Sequence, residues 1–297
     1  MRLLECFSRR GLSCLLIAGA FGIAPPVIAQ PILVGDVARA DLQKPPFTEW
    51  FDPQYSGYQP VAETVEKLRA PLKGVSVEAY FGTWCGDSKR QVPRLLKLLD
   101  VAGFDEKRLT MVGLSDRAME FKKSPGGAEV KRRIHRTPTF VILRDGAEIG
   151  RIVETPATSL EADLLAILSG HGPQTRYGAE AWVHELFTTR SVAEAEKALE
   201  SAAPQISKRG DPDSLWHYAE FDLLRNGRAR EAKAVLDLHL KLNPRSVVGL
   251  ILLSEALSTM GRKDAAIETI DRALAIDPTH SRAQRAAAKI KAPNPQL

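Results

Sequence analysis

The sequence is poor in cysteine, in long apolar runs and in net charge, and each shortage removes a class of function. Three cysteines occur in 297 residues. Cys6 and Cys14 fall in the opening stretch "MRLLECFSRRGLSCLLIAGAFGIAPPVIAQ", and Cys85 stands alone beyond it. That stretch has a basic start (Arg2, Arg9, Arg10), an apolar run from Leu12 to Ala24 and a small-residue ending, Val27-Ile28-Ala29. This is the pattern of a cleaved signal peptide over residues 1–29. The apolar run is well under the roughly 20 residues that span a bilayer, and no second long run follows. The expectation is an exported, periplasmic protein with no membrane attachment once the leader is cut; "SRRGL" also fits a twin-arginine route. Cys85 is then the sole thiol, so neither an internal disulfide nor a cysteine-based zinc site can form. In an oxidising compartment such a thiol is either buried and inert or reactive toward other molecules.

The formal charge of +5 falls to +3 when the three arginines and one glutamate of residues 1–29 leave. That balance gives no reason to expect nucleic acid as a partner, and "KRRIHR" reads as a solvated helix face. The six histidines are scattered, and His184-Glu185 lacks a second histidine four residues on. No phosphate loop, dinucleotide fingerprint or serine-nucleophile elbow is present, so no metal and no bound cofactor are expected.

What the chain does have falls into two halves. Residues 30–60 are rich in proline and aromatics and read as an extension packed on the domain that follows, 61–170. "VAETVEKLRA" is an amphipathic helix with Val61, Val65 and Leu68 on one face. From Val75 the pattern alternates: strand "VSVEAYF", helix "KRQVPRLLKLLDVA", strand "RLTMVGLS", short helix "GAEVKRRIH", then "TFVIL" and "AEIGRIV" joined at Asp145-Gly146, and a closing helix "SLEADLLAIL". The order β-α-β-α-β-β-α predicts a mixed central sheet flanked by helices. "SGHGPQTRYG" supplies a linker, set at 171–178.

Beyond it the sequence is all-helical and repeats. Gly227 and Gly261, Ala232 and Ala266, and Pro244 and Pro278 are each 34 residues apart, the period of tetratricopeptide helix pairs. Repeats are set at 179–212 (degenerate), 213–246 and 247–280, with a capping helix at 281–290 and a tail at 291–297. The unit "LILLSEALSTMGRKDAAIETIDRALAIDP" resembles the tetratricopeptide family. The resemblance implies a concave groove for protein partners, lined by His217, Phe221, Leu224, Arg225, Ile251 and Glu255.

The chemistry centres on "YFGTWCGDSKRQVP". A cysteine opening a helix lies beside unpaired N–H groups and the positive end of the dipole, which favour thiolate. Lys89 and Arg90 follow within one turn, Asp87 opposes them, and Lys131, Arg132, Arg133 and Arg136 are candidates to face the sulfur. Trp84-Cys85-Gly86-x-x-Lys89, with Pro93 eight residues after the cysteine and Thr137-Pro138-Thr139 before a strand, resembles the thioredoxin superfamily. The resemblance implies that Cys85 is the attacking thiolate, that Trp84 flanks it, and that Thr137 offers its backbone to an extended substrate beside a cis Pro138. Gly86, Asp87, Ser88 and Lys89 would shape the site. Two features depart from the family. Ser88 replaces the resolving cysteine, and Ala79 replaces a buried acid, with Glu78 out of register by one.

Disulfide reduction needs one thiol to attack and another to release the product. Cys85 alone can therefore form a mixed disulfide but must await an outside thiol, and Ser88 is expected to hold its thiolate by a hydrogen bond. Three readings follow. Cys85 forms mixed disulfides with cysteine-containing clients held by the repeats, an architecture that resembles the chaperedoxins. Alternatively it exchanges with glutathione or a similar external thiol, or both domains are redox-silent scaffolds.

Overall fold

The structure, a computed structural model, describes residues 31–172, 176–206 and 208–292. The leader expected over 1–29, part of the linker at 171–178 and most of the tail at 291–297 lie outside the described residues. The N-terminal half is built from β1 (Gly35–Asp36), α1 (Arg39–Leu42), α2 (Thr48–Gly57) and α3 (Ala62–Leu72), then β2 (Val75–Phe81), α4 (Gly86–Ala102), β3 (Leu109–Gly113), α5 (Ala128–Lys131), β4 (Thr139–Arg144), β5 (Ala147–Val153) and α6 (Leu160–Leu168). The strands form one mixed sheet in the order β1-β3-β2-β4-β5. β2 runs parallel to β3, and the other pairings are antiparallel.

Alternation along β2 decides the two faces. Val75, Val77, Ala79 and Phe81 enter a core with Val92, Leu95, Leu96 and Leu99, the apolar stripe of α4. Tyr80 goes to the opposite face, against Val112, Leu114, Ile134 and Val141. Asp145 and Gly146, left-handed at φ 52° and 78°, close the β4–β5 hairpin, the backbone such a two-residue turn needs.

Residues 30–60 are more than an extension. β1 is the edge strand beside β3, and Leu42 and Phe51 are buried in the core of the sheet domain. Gly113 makes the close approach possible, since a Cβ there would stand 2.3 Å from the Leu33 carbonyl oxygen. Gly113→Ala is therefore expected to cost about 1–3 kcal/mol and to make residues 31–37 the first segment cut by a protease. An unchanged denaturation midpoint and cleavage pattern would refute that role. The helix expected through His135 stops after Lys131, because Arg133 turns left-handed at φ 53° and the Ile134 N–H bonds back to the Glu129 carbonyl.

The C-terminal half consists of α7 (Gly178–Thr189), α8 (Val192–Glu200), α9 (Ala203–Ile206), α10 (Ser214–Tyr218), α11 (Ala229–Leu242), α12 (Val247–Thr259), α13 (Lys263–Ile276) and α14 (Ser281–Lys291). α10 runs on into a π-helical turn, Ala219–Leu223, and a 3-10 turn, Leu224–Asn226. α11 and α13 begin and end at positions 34 residues apart. Gly227 and Gly261, at φ 72° and 76°, close the helices that precede them in the left-handed conformation glycine adopts without a Cβ clash. Ala232, Ala266 and Ala273 are fully buried in the core shared by α7 to α14.

Candidate functional site

β2 ends at Phe81 and α4 begins at Gly86, so the intervening turn carries Cys85 to a helix start. Cys85 is the N-cap of α4, with extended backbone at φ −86° and ψ 127°, at the positive end of a 17-residue helix, and its side chain makes no capping hydrogen bond. The thiol is half-buried and donates to the Thr137 carbonyl at 3.3 Å; the Thr137–Pro138 bond is cis. Cys85 and the Thr137-Pro138 loop thus meet although 52 residues separate Cys85 from Thr137.

Ser88 does not hold the sulfur. Its hydroxyl is buried and accepts from the Gly82 N–H at 3.2 Å, bracing the turn, and no hydrogen bond joins it to Cys85 among the described residues. Gly86 is exposed, Asp87 pairs with Arg90, and the Lys89 N–H donates to the Cys85 carbonyl at 2.9 Å. Three of the nearby arginines are committed elsewhere. Arg132 makes two 2.7 Å bonds to Glu78, Arg133 pairs with Glu185 at 2.7 Å, and Arg136 binds Glu154 and Glu180. Burial pushes the Glu78 carboxyl up, but the bonds from Arg132 and Tyr80 outweigh it and hold it below its usual range.

Trp84 ties this site to the helical half. Its indole donates to the Leu114 carbonyl at 2.8 Å, and its ring centroid lies 4.8 Å from that of Phe121. Phe121 stands 6.1 Å from Phe221, and Phe221 stands 4.5 Å from His217. Arg225 covers both phenylalanines, 4.6 Å from Phe121 and 4.7 Å from Phe221. Of the expected groove residues, Phe221 and the exposed Arg225 therefore touch the sheet domain through Phe121, and His217 packs behind Phe221. Ile251 is fully buried in the helical core, so its place in a groove is corrected. Leu224 and Glu255 remain at an open cleft of about 260 Å³ with Ser258, Thr259 and Ile290.

Behind the aromatic contact lies a cluster of buried ionisable groups. Lys122 binds Asp222 at 2.8 Å and also the His135 carbonyl. Arg136 reaches Glu180 at 2.8 Å and Glu154 at 2.9 Å, with its guanidinium 3.9 Å above the Tyr177 ring. His184 meets the Tyr218 hydroxyl at 3.1 Å and lies 5.6 Å from the His135 ring. Burial, opposed by Arg136, pushes the Glu180 carboxyl up to about 8. Burial, reinforced by arginine and lysine neighbours, pushes His184 and His217 down to about 3 and His135 well below its ordinary value. Sequence reasoning missed Phe121, Lys122, Asp222 and Glu180. Phe121 and Lys122 lie in an irregular connection, and the two acids look like ordinary charges on helices.

One part of the chain matches a known family. Residues 223–290 match the tetratricopeptide repeat. That stretch takes in the later part of the copy set at 213–246, from residue 223, the whole of the copy at 247–280 and the capping helix at 281–290. Tetratricopeptide repeats are protein-binding modules, so this half is equipped to engage protein partners. No curated protein and no solved structure matches the chain.

Proposed function

We propose that this is an exported protein of the thioredoxin superfamily whose single thiol forms mixed disulfides with cysteine-containing clients engaged by its tetratricopeptide repeats. One observation carries the reading. Cys85 stands at the N-cap position of a long helix, its half-buried thiol touches the Thr137 carbonyl, and there is no second cysteine among the described residues. The five-stranded mixed sheet with α4 on one face supports it, as does the leader pattern of residues 1–29.

The step is an exchange with no net oxidation. The Cys85 thiolate attacks one sulfur of a client disulfide, the new S–S bond forms, the old one breaks, and the other client sulfur leaves as thiolate. An external low-molecular-weight thiol, glutathione or one like it, must attack the mixed disulfide to free Cys85. The Ser88 hydroxyl cannot do so. A binding-only role is the second reading, and the repeat match favours it.

The test compares mixed disulfides trapped by the wild type and by Cys85→Ala. Clients should appear on non-reducing gels with the wild type alone. Insulin reduction should be absent in the wild type and gained by Ser88→Cys. Equal capture by Cys85→Ala would leave the binding-only role. Catalytic insulin reduction by the native protein without added monothiol would refute the mechanism.

A further inference from the structure

His217 and Asp222 are five residues apart, a spacing that in an α-helix leaves side chains about 140° apart around the axis. The π-helical turn Ala219–Leu223 begins two residues after His217 and contains Asp222, and the wider i→i+5 geometry of such a turn, frequent at functional sites, brings both toward Glu180 on α7. One ligand-capable atom from each of Glu180, His217 and Asp222 lies within 4.8 Å of the other two. Glu180 is fully buried, yet one of its carboxylate oxygens, Oε1, has no hydrogen-bond partner, and neither has the buried Nδ1 of His217. Such orphans cost about 1–3 kcal/mol each unless something fills the space between them.

The charges nearby are close to balanced. Glu154, Glu180 and Asp222 face two buried cations, Lys122 and Arg136, and Arg176 reaches Glu154 from the surface at 3.7 Å. Arg136 on Oε2 of Glu180 and Lys122 on Oδ2 of Asp222 hold one oxygen of each carboxylate and leave Oε1 of Glu180 without a partner.

We propose that Glu180, His217 and Asp222 form a divalent-metal site inside the helical domain, beside its contact with the sheet domain. The donor set, two carboxylates and one imidazole, suits zinc or manganese. An ion central to the three atoms stands at most about 2.8 Å from each, and coordination at about 2.0–2.2 Å needs inward shifts of about 0.6 Å. His217 is only half-buried, which gives a route for the ion and for water as a further ligand. Asp222 also binds Lys122 of the sheet domain, so the site lies next to the Phe121–Phe221 contact.

The site is independent of Cys85, and its test removes that thiol. Leaderless protein carrying Cys85→Ala is stripped with a chelator and titrated calorimetrically with ZnCl₂ and with MnCl₂. The expected result is one ion bound per chain and a higher Tm. Glu180→Gln, which keeps the bond to Arg136, and His217→Gln should each abolish binding while circular dichroism stays native. X-ray absorption of the zinc form should show a single imidazole among oxygen ligands. Uptake of neither ion by folded, stripped protein would overturn the proposal and leave a proton as the occupant. Binding undiminished in both variants, or a shell of several imidazoles, would overturn it equally.

Discussion

Arg136→Ala should destabilise the protein by about 3–5 kcal/mol, the cost of removing one partner from a buried ion pair. Its guanidinium is nearly inaccessible and answers two carboxylates at once, Glu154 and the fully buried Glu180. Without it Glu180 has no cation at hydrogen-bond distance, and Tyr177 loses the group stacked on its ring. The measurement is chemical denaturation, with the double variant Arg136→Met, Glu180→Gln as control. Removing both charges should recover much of the loss, since neither is then buried without its partner. A single-variant loss below about 1 kcal/mol, the range of exposed pairs, would show that the cluster is solvated.

Stability of the chelator-treated protein should fall steeply below about pH 6.5. His135, His184 and His217 are held neutral by burial among Lys122, Arg133, Arg136, Arg151 and Arg228. A histidine whose folded pKa is depressed contributes stability that is present above its unfolded value near 6.5 and is lost as the pH falls below it. For His184 and His217, at about 3 in the folded state, the loss between pH 7 and pH 5 is about 2 kcal/mol each. Glu180 opposes them. Its raised pKa of about 8 means the folded state holds a proton that the unfolded state releases above its ordinary value. It therefore adds stability on acidification by a similar amount. Asp222, raised by burial, acts in the same direction as Glu180; three histidines against two carboxyls leave a net loss in acid, and the carboxyls alone give a shallower decline from pH 6.5 to 8. Denaturation midpoints at pH 5, 6.5 and 8 should thus peak at the middle value. A flat profile from 5 to 7, or one unchanged by His184→Gln, would refute the assignment.

Much of this was legible in the sequence. Periodicity located β2, α4, the β4–β5 hairpin and the helical repeats, because each buries one face and so must alternate or recur. Cys85 at a helix start was legible too, since a glycine and an apolar stripe follow it. The partners of Ser88 and Arg132 were not legible. Alternation predicts which face a side chain takes, not which acceptor waits there. The contact of Trp84, Phe121 and Phe221 joins a turn, an irregular loop and a helix more than a hundred residues apart, and no local pattern encodes it. His217 and Asp222 share a face only because the helix widens between them, a departure that α-helical periodicity hides.

β1 has a further consequence for how anything docks. Within its sheet β3 is an edge only until residues 35–36 lie along it, and the chain carries that strip itself. At the opposite border, β5 presents Glu148 and Arg151, paired with each other at 2.6 Å, charges of the kind that discourage backbone-to-backbone annealing. At the β3 border an incoming polypeptide meets only the outer edge of the two-residue β1, a rail too short to seat an added strand.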